Sequence, residues 1–186
     1  DGMQLCESLK QNEKTSHIPI ILLTAKADIE TRLKGLHLGA DDYISKPFDA
    51  RELNARISNL IENRRKLQTK FSKQFNLSAS EINVESVEDK FIKKVKGAIE
   101  ARLDDPALGV ESLADEVAMS KIQLYRKVKA LTGIVPNELI RNIRLERAAS
   151  LLRQHAGNVS EVADQVGFNN LSYFSKCFRE KYGVSP

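Results

Sequence analysis

The sequence predicts an α/β half with parallel strands, followed by an all-α half that carries two helix-turn-helix motifs. Three observations predict it. Ile18-Pro19-Ile20-Ile21-Leu22-Leu23-Thr24 is a continuous apolar run, too short for a helix and rich in β-branched residues, and Tyr43-Ile44-Ser45 follows as a second short strand. The second half contains an internal repeat. Charge divides along the same line: residues 1–62 carry 8 Lys/Arg against 10 Asp/Glu, and residues 63–186 carry 21 against 15.

The run at 18–24 reads as a buried strand with neighbours on both edges. Asp28 to Leu38 has helical spacing (Ile29, Leu33, Leu36) and ends at Gly39, a good C-terminal stop. Lys46-Pro47 stops the second strand. Asp49 then caps a long helix whose inner face is Leu53, Ile57, Leu60 and Ile61. Strand, helix, strand, helix is a piece of a parallel α/β sheet, and its open edge leads us to expect self-association of the isolated chain, with upstream receiver residues covering that edge in the native protein. Residues 63–85 form a basic helix extension (Arg64-Arg65-Lys66, Lys70, Lys73) and a polar linker at 76–80. The basic run reads as a solvated helix end, with duplex contact as the alternative. Ser86-Val87-Glu88-Asp89 opens the next helix as a capping box. That helix buries Phe91, Val95, Ala98 and Ile99, and Asp104-Asp105-Pro106 stops it.

Leu113-Ala114-Asp115-Glu116-Val117 recurs 49 residues later as Val162-Ala163-Asp164-Gln165-Val166. Past the turn the offset is 50, pairing Leu124 with Phe174, Arg126 with Lys176, Val128 with Phe178 and Gly133 with Gly183. A short helix, a tight turn and a second helix with a polar, basic outer face is how a helix-turn-helix presents a recognition helix to a major groove. In the first copy Ser120 and Gln123 form a capping box, and Leu124, Val128 and Leu131 share one face. Ile122, Arg126 and Lys129 then point outward, flanked by Lys121 and Tyr125. In the second copy Leu171, Ser172, Ser175, Lys176 and Arg179 take the outer face. Phe168, Tyr173, Phe174 and Phe178 read as core. Pro136 opens the connecting helix, with Ile140, Ile143, Ala148, Leu151 and Leu152 as its apolar stripe. Arg141, Arg144 and Arg147 recur on it every three residues, where phosphate contact and a salt-bridged or solvated stripe with Glu138 and Glu146 both stay open.

The closing residues, with their Val162-Ala163, Val166-Gly167-Phe168, Ser172-Tyr173-Phe174, Phe178-Arg179 and Gly183-Val184-Ser185-Pro186, resemble the signature of the AraC/XylS family of transcription regulators. The resemblance implies a sequence-specific, double-stranded-DNA-binding domain over residues 86–186. Residues 1–62 resemble the C-terminal half of a flavodoxin-like response-regulator receiver domain, through Thr24-Ala25, Gly39-Ala40-Asp41-Asp42-Tyr43 and Lys46-Pro47-Phe48. That resemblance implies that Thr24 and Lys46 contact an aspartyl phosphate, that Tyr43 changes rotamer on activation, and that the Lys46-Pro47 bond is cis. It also places the phosphoacceptor aspartate, the acidic pair that holds magnesium and the first three strands before Asp1. The chain itself is therefore expected to take neither a phosphoryl group nor a cofactor. Together the two resemblances imply the output end of a two-component phosphorelay, with a cognate histidine kinase or kinase domain in the parent and RNA polymerase as partners.

Composition excludes other classes. No run of about 18 apolar residues exists to span a membrane, and the first residues show no signal-peptide pattern. Cys6 and Cys177 read as reduced thiols of a cytoplasmic protein, and His17, His37 and His155 share no metal-ligand spacing with them. No acid/base or nucleophile cluster points to an enzyme. The competing reading is a protein-interaction module without DNA contact. It predicts apolar outer positions, where the first recognition helix carries Lys121, Arg126, Lys127 and Lys129.

Overall fold

The computed structural model describes residues 2–25, 37–74 and 86–186. The chain divides into two compact units, one built mainly on residues 1–73 and the other mainly on 92–129 and 134–186.

In the first unit, α1 (Gly2–Gln11) leads to β1 (Ile21–Thr24), β2 (Asp42–Ser45) and α2 (Ala50–Gln74). The strands pair in parallel, with Ile21 opposite Asp42 and Thr24 opposite Ser45. The strand begins at Ile21, later than the apolar run: Pro19 has no N–H to offer, and the Ile20 N–H donates to the Asp41 carboxylate at 2.8 Å. Asp41 also accepts from Lys10 Nζ at 2.5 Å, and Asp42 accepts from Arg56 at 2.7 Å. Gly39 turns the chain at φ +87° against the Lys10 side chain. The Gly39-Ala40-Asp41-Asp42 string thus ties α1, the start of β1 and α2 around β2. The helix expected over 28–38 falls mostly on residues 26–36, and the 76–80 linker on residues 75–85, both outside the described residues.

Two features of this unit differ from expectation. Helix α1 carries no sequence signal of its own: Cys6 alone on it is buried and Leu5 is exposed, so its apolar stripe is thin. Asp49 does cap α2, accepting from the Arg51 N–H at 2.8 Å, but the expected inner face is only partly covered. Leu53 and Leu60 are half-buried, whereas Ile57 is 39% and Ile61 51% exposed. Among the described residues the sheet has two strands.

Residues 86–186 are helical: α3 (Val87–Ala101), α4 (Val110–Glu116), α5 (Lys121–Thr132), α6 (Pro136–Arg153), α7 (Val159–Gln165) and α8 (Leu171–Tyr182). Ser86 and Asp89 form the reciprocal cap of α3, which buries Phe91, Val95, Ala98 and Ile99 as its spacing predicts. Pro136 takes the first turn of α6. A continuous core joins Leu145, Ala148 and Leu151 of α6 to Val162 and Ala163 of α7 and to Phe174 and Phe178 of α8.

Candidate functional site

The two repeats fold to the same hydrogen-bond pattern at the offset read from the sequence. In the first, the Val117, Ala118 and Met119 N–H groups donate to the Leu113, Asp115 and Ala114 carbonyls at 3.2, 3.0 and 2.9 Å. In the second, Val166, Gly167 and Phe168 donate to Val162, Asp164 and Ala163 at 3.2, 3.0 and 2.9 Å. Both turns pass through the left-handed region, at Ala118 (φ 58°) and Gly167 (φ 73°), and both second helices stop at a left-handed glycine, Gly133 and Gly183. The short helices begin at Gly109 and Asn158: the Gly109 N–H donates to Ser112 Oγ at 3.1 Å, and Asn158 and Glu161 cap one another reciprocally. The long ones begin at Ser120 and Asn170. The Gln123 N–H donates to Ser120 Oγ and the Ser120 N–H to Gln123 Oε1, while the Tyr173 N–H donates to Asn170 Oδ1.

This scaffold sorts the candidate residues. On α5, Leu124, Val128 and Leu131 are buried, and Lys121, Ile122, Tyr125, Arg126 and Lys129 are exposed together on the opposite side. Lys121 is ion-paired with Glu111, whose carboxyl that contact holds below the usual range. Lys129 Nζ lies 6.0 Å from the centroid of the Tyr125 ring. Arg126 makes no hydrogen bond or ion pair among the described residues, so its planar fork is available. On α8, Phe174 and Phe178 are buried, while Leu171, Ser172, Lys176 and Arg179 are exposed and Ser175 is half-buried. Arg179 donates to Ser185 Oγ at 3.1 Å, and Lys176 stands 4.0 Å from Glu180.

Three assignments change. Lys127 does not belong to the basic outer face: it is fully buried on the inner side of α5. Tyr173 is not core but half exposed, its ring 6.1 Å from that of Phe168, and it lies beside the Arg141 guanidinium, whose proton affinity it raises. The connector arginines form no common stripe. Arg141 lies beside Tyr173, Arg144 is buried and donates to the Asp105 carbonyl at 2.6 Å, and Arg147 is exposed. The outer faces are also more apolar than a charge count suggests, since Ile122 is 63% and Leu171 45% exposed.

In the first unit, Thr24 and Lys46 meet at the carboxyl end of the parallel strands, where ligands of open α/β sheets sit. The Lys46 N–H donates to the Thr24 carbonyl at 2.6 Å, the Lys46–Pro47 bond is cis, and the Lys46 side chain is exposed. Tyr43 is buried in β2 opposite Leu22. Cys6 and Cys177 are both free and buried. Among the described residues no His/Cys/Asp/Glu group has the arrangement of a metal site, and no helix is long and apolar enough to cross a membrane.

The chain matches two family models: a response regulator receiver domain over residues 1–58 and a helix-turn-helix domain over residues 113–186. It is 41% identical over its whole length to a protein named histidine kinase P4 from Formosa agariphila, of which it spans 14%. A further relative is the phosphate regulon transcriptional regulatory protein PhoB of Pseudomonas aeruginosa, 50% identical over 60 residues, which are 32% of this chain and 26% of that protein. The chain thus spans between a seventh and about a third of the curated relatives it matches. Among solved structures, the C-terminal domain of AraT, a response regulator from Geobacillus stearothermophilus, aligns with 52% of this chain and 79% of its own, at 32% identity and a TM-score of 0.49. The chain therefore belongs to the response-regulator receiver family over residues 1–58 and to the AraC-type helix-turn-helix family over residues 113–186.

Proposed function

We propose that residues 86–186 bind duplex DNA sequence-specifically, with α5 and α8 entering successive major-groove faces, and that the chain is the output end of a two-component phosphorelay. One observation carries the reading: two motifs with the same hydrogen-bond skeleton each turn a polar, basic helix face to solvent. Their connector α6 has 18 residues, about 27 Å at the usual helical rise, close to the ~34 Å that separates successive groove faces. Arg126 is the guanine reader, since a bidentate fork fits the N7/O6 edge, and Ile122 and Tyr125 offer apolar contact to thymine methyls. Lys121 and Lys129 hold phosphates. On α8, Leu171, Ser172, Ser175, Lys176 and Arg179 read the second half-site with less charge and looser discrimination, and Tyr173, oriented by Arg141, joins them.

In this reading residues 1–62 are a receiver segment joined by residues 63–85 to the DNA-binding domain. Thr24 and Lys46 contact an aspartyl phosphate on the receiver, where Lys supplies a point charge and Thr a hydroxyl donor, and Tyr43 reports its state. The parent protein is cytoplasmic, receives its phosphoryl group from a histidine kinase or kinase domain and acts on RNA polymerase, while residues 1–186 in isolation self-associate. The chain performs no catalysis of its own.

A salt titration tests the DNA reading. A domain that neutralises about six phosphates loses about a thousandfold in affinity between roughly 50 and 200 mM salt, because counterions are released. Affinity for duplexes selected from a random pool should fall linearly on a log–log plot. A flat plot refutes the reading.

A further inference from the structure

The two turns that look alike in sequence have different surroundings. Ala118 of the first turn is exposed. Gly167 of the second is buried at a three-way junction: a Cβ there would lie 2.6 Å from the Leu103 carbonyl oxygen and 2.8 Å from an Arg144 guanidinium nitrogen. Arg144 projects from α6, the connector, and its Nη2 donates to the Asp105 carbonyl at 2.6 Å. Leu103 and Asp105 belong to the segment that leads from α3 into the first motif. One side chain therefore touches the connector's own helix, the lead-in to the first motif and the turn of the second. It does so at 9% exposure, with its Nε enclosed and lacking a hydrogen-bond partner among the described residues.

A buried arginine is costly to desolvate, and burial lowers its proton affinity, partly offset by Asp105. A hydrophobic side chain would fill the same volume without that cost. What it would not supply is direction. A guanidinium has a fixed plane and a fixed donor geometry, so the Asp105 carbonyl sets its orientation, and Gly167, lacking a side chain, lets the turn close against its face. The backbone of the second motif is thereby registered to the backbone that leads into the first.

We infer that Arg144 is a positioning residue that sets the phase between the two recognition helices, and so fixes the half-site spacing the protein accepts on DNA. The inference rests on the DNA-binding reading. Each base pair of spacing moves a half-site by about 3.4 Å and rotates it by about 35° around the duplex, so a rigid pair of helices accepts one spacing and a loosened pair accepts several.

The test is a spacing profile. The full chain is titrated by fluorescence anisotropy with duplexes carrying both selected half-sites, the spacer lengthened or shortened one base pair at a time. The unaltered chain should show one optimum and lose at least tenfold in affinity one base pair to either side. Arg144→Met should lower affinity at the optimum by about tenfold and flatten the profile to within threefold. Arg144→Lys, which keeps the charge but not the fork, should flatten it too. A lost contact with no positioning role would lower every point equally and leave the shape unchanged. Protection of the buried Cys177 thiol checks that the second motif is still folded; if Arg144→Met loses it, Arg144→Lys decides. A variant with the original sharp optimum overturns the inference alone. An unaltered chain that binds none of the duplexes overturns the DNA-binding reading, and the inference with it.

Discussion

Exchanging the turn residues of the two motifs should give opposite results at equivalent positions. At Gly167, alanine meets two costs. The left-handed φ of +73° disfavours a Cβ by about 1–2 kcal/mol. The contact at 2.6 Å is with a backbone carbonyl, which cannot rotate away, and overpacking of this kind adds about 1–3 kcal/mol. The smaller entropy of an unfolded alanine returns about 0.4–1 kcal/mol. Gly167→Ala should therefore destabilise the second motif by about 3 kcal/mol, a hundredfold rise in its opening equilibrium. At Ala118 the φ of 58° already carries the left-handed cost, and the side chain faces solvent. Ala118→Gly should leave stability unchanged or raise it by up to ~1.5 kcal/mol. Cys177, buried in the core of the second motif, provides a local readout by thiol labelling, with mass spectrometry separating it from Cys6. Labelling of Cys177 in Gly167→Ala at the unaltered rate would refute the claim that the turn is closed against the junction.

Other outcomes follow from the same geometry. Ser120→Ala and Asn158→Ala each remove a helix cap and should cost about 1 kcal/mol in urea denaturation, without a change in m-value. Arg126→Ala should cost about 1–3 kcal/mol of binding and relax base choice at one position. Lys176→Ala should cost less, in the other half-site, and footprints of the two variants weakening at the same base pair would contradict a two-groove mode. Acetyl phosphate with magnesium should leave residues 1–186 unmodified by intact-mass measurement, and a phosphoryl adduct on this chain would show that the receiver resemblance has been set in the wrong register.

The parts of the fold that were legible in the sequence are those where pattern and packing say the same thing. Leu124, Val128 and Leu131 announce a helix face, Ser120 with Gln123 announces its start, and Gly133 its end. The parallel strand pair was legible because Ile21–Leu23 and Tyr43–Ile44 are short apolar runs, the first just after Pro19 and the second between Gly39 and Pro47. Residue type misled where it conflicted with position. Lys127 lies three residues after Leu124 and four before Leu131, so the helical period alone places it inward; its charge argued otherwise, and position won. Tyr173 stands next to Phe174 in sequence but 100° away around the helix, which turns it outward. Arg144 was read as one of three equivalent arginines. Its special place depends on Asp105 and Gly167, far off in sequence, and no local pattern encodes that meeting.

The repeat also explains why both turns need help from outside their motifs. A short helix of seven residues is marginal alone, and its turn must be held against something. In the first motif Lys94 reaches from α3 and donates to the Val117 carbonyl at 3.1 Å. In the second, Arg144 reaches from α6 and packs against Gly167, the next residue on in the equivalent turn. Lys181, near the far end of α8, donates to the Asn142 carbonyl and pairs with Glu146 at 3.0 and 2.8 Å. Arg141 beside Tyr173 adds a further polar contact between α6 and the second motif, while the first takes its turn contact from α3. The connector is thus part of the second motif's foundation as well as a spacer. A substitution that weakens α6 should therefore disturb reading of the half-site contacted by α8 before that contacted by α5.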